Sequence, residues 1–185
     1  VVVAGVGLAL GLLLLAPPVK AVFTAGKSAP EETITGELAQ RSVVTARDGT
    51  VLAVLHREEN RSPVDLEDVP QHVVDAVLDI EDDRFWDHGG VDLRSAARAL
   101  FTNVSSGGIR QGGSTITQQL VKNLLLTPEQ TVDRKVKEAV LAIRLEDELG
   151  KREILERYLN TVFFGNSAYG VQAAAETYYG KDVGD

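Results

Sequence analysis

The 185-residue chain is 44% hydrophobic and 25% charged, which suits one globular domain with a short additional segment. A formal net charge of −8 argues against non-specific nucleic-acid binding, which needs clustered Lys and Arg, so any anionic ligand must be held by a local basic cluster. The absence of cysteine excludes disulfides, thiolate zinc sites and thiol nucleophiles.

Val1 to Ala16 carries no charged or polar side chain and ends at Pro17, Pro18 and Lys20. At 16 residues it is shorter than the roughly 18 apolar residues of a complete span, and no Met opens the chain, so it reads as a membrane anchor cut within its helix. A signal peptide is the alternative, but the basic start of such a segment is missing. Residues 17–40 are small, polar and Pro-containing and read as a linker, so the domain proper is expected over 41–185. Ser42 to Ala46 and Val51 to Leu55 flank Asp48-Gly49, a pair that favours a tight turn and predicts a small β-hairpin near the membrane. Asn60 to Asp68 is polar and irregular.

The remainder has helical periodicity. Pro70 is acceptable in a first turn, and a helix bearing Glu81 starts at Gln71. Asp92 is placed to cap a helix running to Phe101, Asn103 to Gly113 reads as a Gly and Ser loop, and Ser114 or Thr115 is placed to cap a helix running to Leu126. Pro128 opens the next helix, which runs to about Leu149 with Gly150 as its C-terminal cap. Further helices are expected over Lys151 to Phe163 and Tyr169 to Tyr179. The expected fold is therefore mainly α.

Four stretches carry residues suited to chemistry. At about 100° per residue, Glu81 falls in line with Val74, Val77, Leu78 and Phe85, while Asp75, Asp79, Asp82 and Asp83 fall on the opposite side. A single carboxylate on an apolar face is expected to be desolvated, which raises its pKa towards the range useful for proton transfer. The alternative is a fraying helix end with Glu81 paired to Arg84. Next, Gly107, Gly108, Gly112 and Gly113 lead into a helix start at GGSTITQQLVKN, where unpaired N–H groups favour an anion and Ser114, Gln118 and Gln119 supply neutral donors. An ordinary loop with a capping Ser is the plainer reading. Third, Arg134, Glu138, Ala142, Leu145 and Leu149 share one helical stripe, so two charges continue a core-facing line and must pair or line a cleft. With Lys135 and Lys137 they form RKVKE, the densest basic cluster in the chain and a candidate phosphate holder, set against a solvated face of i,i+4 pairs. Fourth, Glu156 shares a mixed face with Arg152, Leu159, Asn160 and Phe163. Two shielded glutamates on different helices allow acid/base or electrostatic work on a sugar bond. His56, His72 and His88 form no metal-ligand pattern.

Together the four stretches resemble the peptidoglycan glycosyltransferase domain, glycosyltransferase family 51, found at the front of class A penicillin-binding proteins. EDDRFWDHGGVD looks like that family's first motif, GGSTITQQLVKN its second, RKVKE its third and ILERYLNTVFFGNSAYGVQAAAETYYGK its fourth. The resemblance implies a lysozyme-like helical domain with a membrane-embedded jaw, held on the extracytoplasmic face of the cell membrane by a single-pass helix. The implied reaction polymerises lipid II into β-1,4 glycan, with inversion at the donor sugar and release of undecaprenyl pyrophosphate. Glu81 is implied as general base and Glu156 as an assisting group at the donor. Ser114, Gln119, Lys122, Arg134 and Lys135 match donor-cleft positions, with Glu138 orienting them. A divalent cation, Mg or Mn, is expected from the resemblance with no ligand set assigned. The implied partners are lipid II, the nascent strand, the bilayer and cell-wall synthesis or division proteins, with no nucleic acid. Gln130 stands where many members have Arg, and Trp86 where Tyr is more usual. The family's fifth motif and any transpeptidase domain would lie beyond Asp185. A lytic muramidase on a similar fold, or a non-catalytic anchored scaffold, are the alternatives; RKVKE and the apolar start weigh against the first, and both retained glutamates against the second.

Overall fold

The computed structural model describes residues 38, 40–56, 58–106, 112–125 and 132–185. The expected anchor, nearly all of the linker, Gly107, Gly108, Pro128 and Gln130 lie outside the described residues.

The hairpin forms as predicted. Strand β1 (Ser42–Thr45) pairs antiparallel with β2 (Val51–Leu55), with Ser42 opposite Leu55 and a register shift between Val44 and Thr45. The Asp48 carboxylate accepts from Thr50 N at 3.0 Å, and Gly49 sits at φ +87°, a conformation that favours glycine because it has no Cβ. Arg41, at the foot of the hairpin, makes a two-pronged ion pair with Glu176, with Nη2 to Oε1 at 2.7 Å. The segment after the hairpin is more ordered than its composition predicts. Strand β3 (Asn60–Arg61) pairs in parallel with β4 (Ala168–Tyr169), and a 3-10 turn covers Leu66–Asp68. Two-residue strands whose partners lie over a hundred residues away leave no periodic signal.

Six α-helices account for most of the remaining described residues, α1 (Gln71–Glu81), α2 (Leu93–Ser106), α3 (Ile116–Leu125), α4 (Val132–Glu148), α5 (Lys151–Thr161) and α6 (Val171–Tyr179), with a second 3-10 turn at Phe85–Asp87. Their starts follow the sequence signals. Asp92 Oδ1 accepts from Arg94 N at 2.9 Å and Oδ2 from Ser95 Oγ at 2.6 Å, as an N-cap should. At α3, Thr115 Oγ1 accepts from Gln118 N at 3.1 Å while Gln118 Oε1 accepts from Thr115 N at 3.0 Å, a reciprocal capping box. Thr115 is therefore the cap, and Ser114 is released from that role. Several boundaries differ from expectation: α5 stops at Thr161 rather than Phe163, and α6 starts at Val171, with Tyr169 in β4 instead. Helix α2 continues past Phe101 to Ser106, and Gly150 is the N-cap of α5, in extended backbone at φ −69°, rather than a left-handed end of α4.

Helix α3 packs against both α4 and α5, and Ile116, Leu120, Val121, Leu145, Ile154, Leu155 and Leu159 fill the space between them. Each such side chain contributes about 1.5–3 kcal/mol by leaving water. A polar clasp crosses the same seam, with Glu146 Oε1 accepting from Thr117 Oγ1 at 2.6 Å and Lys151 Nζ at 2.8 Å. From α1, Val74 and Leu78 reach this core, joined by fully buried Phe85. Gly90 allows the next loop to press on α4: at φ +75°, an added Cβ would lie 2.6 Å from Ala142 O. Thr115 Oγ1 donates to Gly90 O at 2.6 Å, so this contact ties the loop to the start of α3 as well.

Candidate active site

The C-terminal end of α1, the start of α2 and the start of α3 converge on a cavity of about 650 Å³. Glu81, Asp82, Ser95, Arg98, Ser114, Gln119 and Lys122 are among its lining residues. Four of the residues predicted for the site, Glu81, Ser114, Gln119 and Lys122, are thus brought to one cleft. Glu81 is the last residue of α1 and accepts from Gln119 Nε2 at 2.9 Å. Its surroundings correct the sequence reading. Helix periodicity placed Glu81 on an apolar face, but the helix ends there and its side chain is exposed. Nor does it pair with Arg84, whose Nη1 donates to both oxygens of Asp92 at 3.2 Å.

The buried carboxylate is the neighbour assigned to the wet face. Asp82 follows the helix, leaves helical geometry, and turns inward until its side chain is 4% exposed. There Oδ2 accepts from Ile116 N at 3.0 Å, and His88 Nε2 lies 2.9 Å from Oδ1, donating to it. A carboxylate on the first N–H of α3 meets the positive end of the helix dipole. Asp82 thereby fixes the end of α1 against the start of α3, which sets Glu81 opposite Gln119. The partner that explains Asp82 lies 34 residues on, beyond the reach of local periodicity. Asp92 is similarly enclosed: burial pushes its carboxyl up, but bonds from Ser95 and Arg94 N and the charge of Arg84 outweigh this and hold it below the ordinary value.

The basic cluster joins the cleft through Ser114. Glu138 is 1% exposed on the stripe with Ala142 and Leu145, as predicted. Its Oε2 accepts from Arg134 Nη1 at 3.2 Å, and its Oε1 from Lys135 Nζ. Lys135 Nζ also donates to Ser114 Oγ at 2.8 Å. Glu138 thus holds two cations, and one of them touches the cavity wall. Arg134, Lys135 and Glu138 do not themselves line the cavity.

The structure does not bring Glu156 to this cleft. Its Oε2 accepts from Leu66 N at 3.0 Å, and four residues on, Asn160 accepts from Val64 N at 2.9 Å and donates to Val64 O at 2.8 Å. The shared helical face is real, but its polar groups anchor the chain entering α1. Among the described residues, no group of three or more His, Cys, Asp and Glu is placed to hold a metal ion. Asp82 and Asp92 are engaged by the donors above, which leaves neither placed as a ligand for a divalent cation. Among the described residues, no helix is long and apolar enough to cross a membrane.

A mainly helical domain whose cleft sets the exposed Glu81 against the Gln119 amide, with Lys122 on the same wall, defines the class, and comparison with known proteins supplies the family. Residues 48–185, more than half of the chain, match the family model described as Transglycosylase. The chain belongs to the transglycosylase family, glycosyltransferase family 51. It is 52% identical over 149 residues to penicillin-binding protein 1A of Haemophilus influenzae, covering 80% of this chain and 17% of that protein. Penicillin-binding protein 1F of Bacillus subtilis is 44% identical over 144 residues, covering 78% of this chain and 20% of its own length. Penicillin-binding protein 1A of Clostridium tetani is 39% identical over 187 residues, covering 99% of this chain and 22% of its own. The chain therefore spans about a fifth of the length of these relatives.

Proposed function

We propose that this chain carries the glycan-polymerising site of a class A penicillin-binding protein, joining lipid II units into β-1,4-linked strands. The observation that carries the reading is the convergence of Glu81, Gln119, Ser114 and Lys122 on one cleft, with Lys135 bonded to Ser114 at its wall. In the proposed step, Glu81 takes the proton of the acceptor 4-hydroxyl, whose oxygen attacks the donor's anomeric carbon from the face opposite the pyrophosphate. The C1–O bond breaks with inversion, and the pyrophosphate leaves with the bonding pair. An exposed carboxylate at a cleft mouth suits this role, since it must meet a hydroxyl arriving from outside. Lys122, Lys135 and Ser114 lie where a leaving pyrophosphate would need positive charge and hydrogen bonds. Glu156 is not assigned a part.

Membrane attachment belongs to the same proposal, with residues 1–16 as anchor and the domain outside the cell membrane. Helix α2 supports it: Leu93, Ala97 and Phe101 form an exposed i, i+4, i+8 stripe flanked by exposed Arg94 and Arg98, an arrangement suited to a lipid interface. Ile80, on the cavity lining, is also exposed. A cleft edged by such side chains would meet a lipid-linked substrate at the bilayer surface.

The test is polymerisation of labelled lipid II in detergent by the full-length gene product and its Glu81→Gln variant. Loss of a general base reduces the rate by about 10²–10⁴-fold, so the variant is expected to give no detectable polymer. Polymer from the variant would remove Glu81 from the mechanism. No polymer from either protein, with lipid II still bound, would favour a scaffold.

A further inference from the structure

A second groove, of about 330 Å³, lies at the start of α1, whereas the cleft of Glu81 lies at its end. At 1.5 Å per residue the two ends of the helix are about 15 Å apart. Trp86, Glu67, Asp68, Gln71 and Arg152 are among the residues that line this groove. Trp86 is 51% exposed although it follows the fully buried Phe85. The two rings meet edge to face, with centroids 5.0 Å apart and planes at 70°, and Lys151 Nζ lies 4.2 Å from the centroid of the Phe85 ring. The indole is thus braced by the core while about half of it stays in water, a rigid platform that costs a ligand little ordering. The 3-10 turn Leu66–Asp68 carries Glu67 and Asp68, and the bond from Leu66 N to Glu156 Oε2 at 3.0 Å fastens it to α5. Arg152 stands one turn before Glu156 on α5, and its Nη2 lies 3.9 Å from Glu67 Oε1, with both side chains largely exposed. Glu156, which takes no part in the cleft, therefore helps to build this groove.

We propose that the groove beside Trp86 is a second saccharide site, which holds the sugar rings of a β-1,4 glycan strand away from the cleft in which the strand is made. A pyranose has an apolar face of C–H bonds, which an exposed indole covers. Its rim of hydroxyls donates to carboxylates and accepts from amide and guanidinium N–H groups. Glu67 and Asp68 supply the acceptors, and Gln71 and Arg152 the donors. Two carboxylates against one guanidinium leave these residues net negative, so the groove disfavours phosphates and anionic lipid headgroups, which suit the basic wall at Lys122 and Lys135 instead. The identity of the strand rests on the reading of this chain as a glycan polymerase.

The experiment is calorimetric titration of the full-length gene product with a neutral probe, a tetramer of β-1,4-linked N-acetylglucosamine. Wild type, Trp86→Ala, Arg152→Ala and Glu81→Gln are compared, with thermal melts for all. Loss of the indole should weaken binding by about 3- to 10-fold, and loss of the guanidinium by about 2- to 10-fold. Glu81→Gln should bind as wild type does. The absence of saturable binding to wild type overturns the proposal, as does unchanged binding in folded Trp86→Ala. Weakening in Glu81→Gln alone would put the tetramer in the cleft and overturn it as well. If Trp86→Ala fails to fold, Arg152→Ala decides by the same criterion. Binding to phosphatidylglycerol vesicles that depends on Trp86, without sugar binding, would assign the indole to the bilayer and refute the saccharide site. In polymerisation of labelled lipid II, Trp86→Ala is expected to consume substrate at the wild-type initial rate but to give shorter strands, and strands of wild-type length would overturn the holding role. No polymer from wild type would refute the polymerase reading instead, while the tetramer titration still decides the groove.

Discussion

Replacing Glu138 by Gln is the most direct probe of the basic cluster, because it removes one charge and almost no volume. Glu138 is 1% exposed, whereas Arg134 and Lys135 are 19% and 48% exposed at their side chains. Breaking a fully buried ion pair costs about 3–5 kcal/mol, chiefly because the surviving charge is stranded. Here the survivors are cations that reach water, and the amide oxygen still accepts one bond, so the expected loss is smaller, about 2 kcal/mol. For a domain of this size that corresponds to a fall in Tm of roughly 4–8 °C. Exposed ion pairs fade over a Debye length of about 3 Å at 1 M salt, but an interaction centred on a buried carboxylate is screened much less. The difference in Tm between wild type and variant is therefore expected to persist when thermal unfolding is repeated at high salt. Lys135 would also lose its tether, so affinity for an undecaprenyl pyrophosphate analogue should fall in a binding titration. A Tm within a degree of wild type, or a difference abolished by salt, would refute the buried-anchor account and return RKVKE to a solvated face.

Gly90→Ala is expected to destabilise the domain by about 2–4 kcal/mol, from left-handed backbone strain together with the clash against the α4 backbone, measured by denaturant unfolding. Retained stability would mean that the loop is not pressed on α4. The ion pair between Arg41 and Glu176 gives a pH signature. The bond from Arg41 holds Glu176 below its ordinary carboxyl value, with burial opposing it and Gln172 assisting. A depressed folded-state value means that the contribution is present above the unfolded carboxyl value and is lost as pH falls through the folded one. Arg41→Ala should therefore cost about 1 kcal/mol or less near neutral pH, with the gap from wild type closing below about pH 4. A gap that is constant with pH would show that Arg41 acts by packing alone.

Local chemistry determined much of this protein from sequence alone. The hairpin at Asp48-Gly49, the caps at Asp92 and Thr115, and the buried position of Glu138 each depend on neighbours within a few residues, where helix and turn geometry is regular. The motifs likewise placed Ser114, Gln119 and Lys122 in order along one segment, and folding that segment as a helix start delivered them to one cleft. Tertiary structure decided the rest, because those roles depend on contacts between distant segments. Asp82 and Glu81 exchange the environments that periodicity assigned them, since the helix ends between them and the chain turns Asp82 towards Ile116 N. Glu156 occupies the shielded face expected of it, yet what shields it is the backbone at Leu66, ninety residues earlier. Periodicity reports which side of a helix a residue occupies, whereas the partner awaiting it there is set by how the helices pack.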